Sequence, residues 1–178
     1  MKLRLEDITA EAKEVTFAEP EMEVNRILGQ GSVREYRVTA PIAVDMTFYR
    51  AGMDLFFSGN LTAQTEATCA RCAEDFKGSN DRSFRLVMAP KSVGMETDPG
   101  LRADDLEFSL YTGDEIDLGP LVREQLLLAL PTRPLCREDC HGLCPHCGIN
   151  LNRGKCECRA QAPDPRLAVL RSLKIVRN

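Results

Sequence analysis

The chain has 178 residues, eight cysteines and a formal net charge of −4. A chain of this length buries roughly 70% of the surface that its unfolded form exposes, so it needs no cross-links merely to fold. Residues 1–14 lack the apolar run of a signal peptide, and no stretch approaches the roughly 18 apolar residues of a membrane span. These features argue against a secreted disulfide scaffold and against a membrane protein, and we expect a cytoplasmic protein.

Alternating apolar and polar residues predict that the first two thirds of the chain is rich in β-strands. The segments with this pattern are residues 1–8, 42–49, 53–57, 61–68 and 84–88. Turn residues are expected to separate the later strands at positions 50–52, 58–60 and 78–81. The spacing predicts an antiparallel β meander.

Residues 89–105 have a different composition, because prolines and glycines are mixed with polar residues. We predict a loop for this segment. Residues 106–111 and 115–118 flank a Thr-Gly-Asp turn at 112–114, and we expect them to form one more hairpin.

Two helices are predicted in the second half of the chain. Asp117 is a suitable N-cap, Pro120 is tolerated in a first turn, and an apolar face runs to Leu130 before Pro131 ends the helix. A second, short helix is predicted from Asp164 to position 176. Both helices are expected to cover the sheet.

The predicted fold class is therefore α+β: an antiparallel β meander packed by a central helix, followed by a cysteine-rich C-terminal module and a short terminal helix. We expect residues 1–130 to form the β-rich domain, and residues 131–178 to form a zinc-binding module docked on it.

Charge divides unevenly between these two parts. Residues 1–130 hold 14 Lys and Arg against 23 Asp and Glu, whereas residues 131–178 hold 9 against 4. The basic C-terminal part favours an anionic partner such as RNA. An alternative is that its arginines balance the charge of nearby thiolates. The candidate basic residues are Arg133, Arg137, Arg153, Lys155, Arg159, Arg166 and Arg171.

The cysteines are the most informative residues. Cys69 and Cys72 form a C-x-x-C pair between two predicted strands, and the other six lie within 23 residues. Those six are Cys136, Cys140, Cys144, Cys147, Cys156 and Cys158. Clustered cysteines in a reducing compartment indicate metal or redox chemistry. Zinc takes four ligands at tetrahedral corners, with Zn–S distances near 2.3 Å, and close cysteine pairs meet this requirement.

Spacing suggests how the eight cysteines divide. Cys144-Pro-His-Cys147-Gly148 has the form of a zinc knuckle, and only a short turn separates it from Cys156 and Cys158. The remaining four would then join the C-terminal module to the meander. The prediction is one or two structural zinc ions. The alternatives are a single zinc with two spare thiols, iron in place of zinc, and ligation by His141 or His146.

No catalytic arrangement is apparent in the sequence. It has no glycine-rich phosphate loop, no Ser/His/Asp arrangement and no His-x-Glu beside the cysteines. We therefore expect neither an enzyme nor a small-molecule substrate. The alternative function is that of a redox or metal-responsive dithiol protein. A general protein-interaction module with structural zinc is a further alternative.

The cysteine block resembles that of a known family. The matching elements are Leu130-Pro131, Pro134-Leu135-Cys136, residues 140–148, Asn150-Leu151-Asn152, Cys156-Glu157-Cys158 and Asp164-Pro165-Arg166. They are similar to the YceD family, the large ribosomal RNA subunit accumulation proteins, and the Cys69–Cys72 element also fits. The resemblance implies a bacterial, cytoplasmic, non-enzymatic factor needed for accumulation of 23S rRNA. The implied partners are large-subunit rRNA or a pre-ribosomal particle, with ribosomal protein as a further partner.

Overall fold

The part of the chain that the structure describes is mixed α/β, with two β-sheets and two α-helices. The computed structural model describes residues 1–30, 36–91 and 108–158. Its elements are β1 (Lys2–Arg4), a 3₁₀ turn (Leu5–Asp7), β2 (Lys13–Glu19), α1 (Glu21–Leu28), β3 (Tyr36–Val38), β4 (Ile42–Ala51), β5 (Asp54–Thr68), β6 (Asp75–Pro90), β7 (Phe108–Tyr111), β8 (Glu115–Asp117) and α2 (Leu118–Ala129).

The main sheet has the order β2-β4-β5-β6-β7, and β3 pairs with β5 beside this row. The pairs β2/β4, β4/β5 and β5/β6 are antiparallel, as the meander predicts. Strand β7, however, is parallel to β6, so the sheet is mixed. Strands β1 and β8 form a separate two-stranded sheet.

The hairpin predicted across residues 112–114 is therefore wrong. Gly113 does adopt a turn conformation with φ of 78°. The two strands beside it nevertheless find different partners, because β7 pairs with β6 and β8 pairs with β1. In the second pairing Leu3 lies opposite Ile116, and both side chains are buried.

Two of the predicted turns are also wrong. Positions 58–60 lie inside β5, and positions 78–81 lie inside β6. Gly59 is not a turn residue: it lies opposite Met46, and a Cβ atom there would collide with the carbonyl oxygen of Asp45. A glycine in a strand interior can mark such a close approach of two backbones.

The loop predicted for residues 89–105 begins later than expected. Ala89 and Pro90 still belong to β6, and both pair with residues of β7. Residues 92–107 lie outside the described part of the chain.

Helix α2 agrees with the sequence analysis at both ends. The side chain of Asp117 accepts a hydrogen bond from the backbone N–H of Gly119 at 3.0 Å, which confirms the N-cap. The helix ends at Ala129, just before Pro131. Its buried residues Leu118, Val122 and Leu126 belong to the same hydrophobic core as the inward side chains of the main sheet.

Helix α1 and strands β2 and β3 were absent from the sequence predictions. The helix is only eight residues long and mostly polar, and Val24 is its one fully buried residue. Asn25 fixes its position, because the side-chain amide exchanges two hydrogen bonds of 2.8 Å with the backbone of Val38. The Asn25 amide thus forms hydrogen bonds with the N–H and the carbonyl of Val38, as a neighbouring strand would.

The helix predicted from Asp164 lies outside the described residues. Within residues 1–30, 36–91 and 108–158, neither helix has the length and apolar character needed to cross a membrane.

Candidate metal centres

The eight cysteines lie in two groups of four. We name the first the hairpin cluster, which consists of Cys69, Cys72, Cys136 and Cys140. We name the second the knuckle cluster, which consists of Cys144, Cys147, Cys156 and Cys158. Within each cluster all four sulfur atoms lie within 4.8 Å of one another. This is the division that the sequence spacing suggests.

The hairpin cluster is built where the turn between β5 and β6 meets the segment that follows α2. Cys69 and Cys72 lie in this turn, which is closed by a hydrogen bond of 2.9 Å from Ala73 N–H to the carbonyl of Cys69. Ala70 N–H donates to the carbonyl of Pro134 at 2.8 Å, which brings the later segment alongside. The Arg71 guanidinium donates to the carbonyl of Cys140 at 3.0 Å and to that of Glu138 at 2.9 Å.

Sulfur distances in the hairpin cluster fit a tetrahedral metal ion. The Sγ atoms of Cys69 and Cys140 are 3.8 Å apart, and those of Cys72 and Cys136 are also 3.8 Å apart. Four thiolates at about 2.3 Å from a zinc ion have S–S separations of about 3.8 Å. A disulfide needs about 2.05 Å, and all eight cysteines are free thiols.

The knuckle cluster is formed by a local turn. Gly148 N–H donates to the carbonyl of Cys144 at 2.9 Å, and Gly148 itself has φ of 73°, a conformation that favours glycine. Cys144 N–H donates to the carbonyl of Ile149 at 2.9 Å. The backbone N–H of His146 lies 3.5 Å from the Cys144 sulfur, as expected for a knuckle whose amides point at the metal ligand.

Burial differs between the clusters. Cys69, Cys72 and Cys140 are 2%, 3% and 4% exposed, so the hairpin cluster is largely enclosed. In the knuckle cluster only Cys144 is buried, while Cys147 and Cys158 are exposed.

Two thiols of the hairpin cluster, those of Cys69 and Cys140, have a lowered pKa. Burial opposes ionisation of Cys69, but hydrogen bonds from the backbone amides of Cys136, Cys72 and Arg71 outweigh it and lower the pKa to about 6. Burial also opposes ionisation of Cys140, and its pKa is lowered mainly by a hydrogen bond from the Asn152 side chain. Burial, together with hydrogen bonding to Cys69, raises the pKa of Cys136 to about 12.

The knuckle cluster likewise has a thiol with a lowered pKa and a thiol with a raised pKa. Backbone amides of Cys147 and His146 lower the pKa of Cys144 to about 6. A hydrogen bond to Cys147 is the main cause that raises the pKa of Cys158 to about 12. Each cluster thus has one thiol whose pKa is lowered to about 6 and one whose pKa is raised to about 12. A divalent cation would stabilise all four thiolates, so the donor set fits such an ion.

The two histidines are separate from these donor groups. His141 and His146 are both exposed, and neither belongs to a four-ligand group in the part of the chain that the structure describes. Two residues near the sulfurs, Arg71 and Asn152, are not predicted as site residues by the sequence analysis, although Asn152 lies in an element that resembles the YceD family. Both act through hydrogen bonds that depend on the folded arrangement, so no sequence spacing indicates them.

The basic residues of the C-terminal part have unequal surroundings. Arg153 forms an ion pair with Glu74 at 2.6 Å, and Arg137 forms one with Asp139 at 3.3 Å. Arg133 and Lys155 are exposed, and the described residues include no ion-pair partner for either. The other candidates, Arg159, Arg166 and Arg171, lie outside the described residues.

Comparison with known proteins identifies the family. The family described as large ribosomal RNA subunit accumulation protein YceD matches residues 57–174, which is more than half of the chain. The chain belongs to the YceD family. The match begins inside β5 and includes all eight cysteines, so the elements that carry both clusters fall within it.

Similar proteins of this YceD-family chain come from mycobacteria and plants. An uncharacterized protein of Mycobacterium bovis is 30% identical over 113 residues, which cover 63% of this chain and 52% of the relative. An uncharacterized protein of Mycobacterium leprae is 31% identical over 113 residues, with coverages of 63% and 50%. The Arabidopsis thaliana protein named large ribosomal RNA subunit accumulation protein YCED homolog 1, chloroplastic, is 24% identical over 164 residues, with coverages of 80% and 51%.

The chain thus spans about half the length of the curated relatives that it matches. No solved structure gives a significant match to it.

Proposed function

We propose that this chain is a non-enzymatic factor that supports accumulation of 23S rRNA during biogenesis of the large ribosomal subunit. The family match over residues 57–174 is the observation that supports this function. The name of the Arabidopsis relative refers to the same process. The proposed location is the cytoplasm of a bacterium, where the large subunit is assembled.

We further propose that the eight cysteines bind two structural zinc ions, one in each cluster. The sulfur separations of 3.8 Å in the hairpin cluster support this assignment, as does the presence of four thiol donors in each group. A zinc ion with four sulfur ligands has no open position for water or substrate, so the proposed role is to hold the fold together. Elemental analysis of the protein purified under reducing conditions tests this. Two zinc per chain is expected, and one zinc or iron would overturn the assignment.

The clusters also support a division of the chain into two parts. We propose that residues 1–130 form a β-rich domain and that residues 131–178 form a module docked on it through the hairpin cluster. The hydroxyl of Tyr36 donates to the carbonyl of Pro131 at 2.8 Å, which adds a contact at the proposed boundary.

The proposed partner is large-subunit rRNA within a pre-ribosomal particle, in contact with ribosomal protein. Arg133 and Lys155 are the exposed basic residues available for such a contact, because Arg137 and Arg153 already have acidic neighbours. Phosphate contacts weaken as salt rises, since counterions are no longer released as favourably. We propose no membrane and no small-molecule partner.

Sedimentation of the tagged full chain with large-subunit precursors tests this partner. The variant Arg133→Glu with Lys155→Glu should lower the fraction that sediments with the precursor and should keep its zinc. A matched control is Arg37→Glu with Lys91→Glu, which makes the same charge change at two exposed residues of the β-rich part. Unchanged sedimentation of the first variant would contradict the assignment of these residues. Normal 23S rRNA levels in cells depleted of the protein would contradict the proposed function itself.

The redox alternative has less support from the geometry. A dithiol that exchanges disulfides needs an accessible nucleophile. Cys69 and Cys72 are only 2% and 3% exposed. Reversible formation of a Cys69–Cys72 disulfide in a metal-free protein would favour the alternative.

A further inference from the structure

The side chain of Asn152 reaches from the knuckle loop to the hairpin cluster. This residue lies in the loop between Cys147 and Cys156, so it belongs to the part of the chain that the knuckle cluster encloses. Its amide nitrogen nevertheless donates a hydrogen bond of 3.3 Å to the sulfur of Cys140, which belongs to the hairpin cluster.

The orientation of the Asn152 amide is fully determined by its partners. Its oxygen accepts hydrogen bonds of 2.8 Å from the backbone N–H of His141 and from the Arg137 guanidinium. Its nitrogen donates to the Asn150 side chain at 2.9 Å as well as to Cys140. An amide oxygen only accepts and an amide nitrogen only donates, so the opposite orientation would lose these bonds.

Backbone contacts hold the same loop against the hairpin turn. Leu143 N–H donates to the carbonyl of Arg71 at 3.0 Å, and Leu151 N–H donates to that of Gly142 at 2.9 Å. Gly142 has φ of 73°, and a Cβ atom there would lie 2.9 Å from the Arg71 carbonyl oxygen. These contacts do not involve the Asn152 side chain, so we expect the loop to keep its place when that side chain is shortened.

We propose that Asn152 couples the two clusters, so that metal bound at one raises the metal affinity of the other. The proposal rests on the metal binding proposed above. A metal in the knuckle cluster fixes the loop and holds Asn152 against Cys140. A metal in the hairpin cluster fixes the position of the Cys140 sulfur, and its hydrogen bond then holds Asn152 and the knuckle loop in place. Linkage requires that the enhancement is equal in both directions.

The test measures Co²⁺ and Zn²⁺ affinity of the full chain by absorption spectroscopy and chelator competition. In the otherwise unchanged protein, removing the knuckle cluster by Cys147→Ser with Cys158→Ser should weaken metal binding at the hairpin cluster by about tenfold, a typical coupling factor. In an Asn152→Ala background the same removal should change that affinity by less than about twofold, because the coupling is absent. Asn152→Asp should also abolish the coupling, since a carboxylate cannot donate to sulfur.

Ile149→Ala is the matched control, because it shortens an exposed apolar side chain of the same loop that cannot donate a hydrogen bond to sulfur. It should keep the coupling. A merely structural role for Asn152 would lower both affinities and leave their dependence on each other unchanged, which would overturn the proposal. Two metals that bind independently in the unaltered protein would also overturn it, without affecting the proposed zinc sites. A protein that binds no metal at all would overturn the zinc assignment and the coupling together.

Discussion

The hairpin cluster and the knuckle cluster use the same four-cysteine donor set in different ways. The hairpin cluster joins residues as far apart as Cys69 and Cys140, which are separated by 71 positions, and it is largely buried. The knuckle cluster is contained within residues 144–158, and two of its thiols are exposed. A link across a long loop constrains the unfolded chain more than a local link does. The hairpin cluster is therefore expected to hold the two parts of the chain together, and the knuckle cluster to shape one surface loop.

Removing a ligand from the hairpin cluster should have the largest effect. We expect Cys72→Ser to lose one metal ion and to lower the free energy of unfolding by several kcal/mol, because binding of a structural zinc is linked to folding. The C-terminal segment should also detach from the β5–β6 turn. Elemental analysis and limited proteolysis near Pro131 measure the two effects. Unchanged cleavage with unchanged zinc content would contradict the shared site.

The equivalent change in the knuckle cluster should have a smaller and more local effect. We expect Cys147→Ser to lose one metal ion while the sheet and the docking of residues 134–140 persist, because those contacts involve the hairpin turn. Hydrogen exchange should increase in residues 144–158 and stay unchanged in β5 and β6. Global destabilisation equal to that of Cys72→Ser would show that the two clusters do not differ in the proposed way.

Metal affinity of both clusters should fall as the pH is lowered. Cys136 and Cys158 have a pKa raised to about 12, so metal must displace their protons at neutral pH. Cys69 and Cys144 have a pKa lowered to about 6, so their thiolates accept protons only when the pH falls through that value. Protons then compete at more ligands, and the affinity should decrease more steeply below about pH 6. Chelator competition across pH 5 to 8 measures this slope, and a pH-independent affinity would contradict thiolate ligation.

The smallest effect is expected for the ion pair that joins the knuckle loop to the hairpin turn. Arg153 and Glu74 lie 2.6 Å apart, but their side chains are 75% and 41% exposed. Exposed pairs of this kind contribute about 0.2–1 kcal/mol, and salt screens them. We expect Arg153→Ala to lower the midpoint of thermal unfolding only slightly at low salt and not at high salt. A large loss at high salt would mean that Arg153 has a packing role.

Two features could be predicted from the sequence because short-range chemistry decides them. The division of the cysteines follows from close pairs and a short turn, which leave few ways to bring four sulfurs together. The N-cap at Asp117 follows from the affinity of a carboxylate for free backbone amides at a helix start. The alternation that predicted a strand over residues 61–68 also matches the structure, where Leu61, Ala63, Thr65 and Ala67 are buried.

Other features depended on contacts between distant parts of the chain. The parallel pairing of β7 with β6, and the pairing of β8 with β1, are not encoded by the turn at Gly113, because a turn limits only its own backbone. Gly59 appeared to be a turn residue, since its close neighbour in β4 is invisible in the sequence.

The sequence by itself thus determined the family, the eight thiols and their local pairs, because these are properties of residue type and spacing. The tertiary structure alone decided how the clusters differ. It buried the hairpin cluster against the β5–β6 turn, left two thiols of the knuckle cluster exposed, and placed the Asn152 side chain of the knuckle loop against Cys140. Burial and hydrogen bonds to sulfur arise only when segments such as residues 69–72 and 134–152 meet in space.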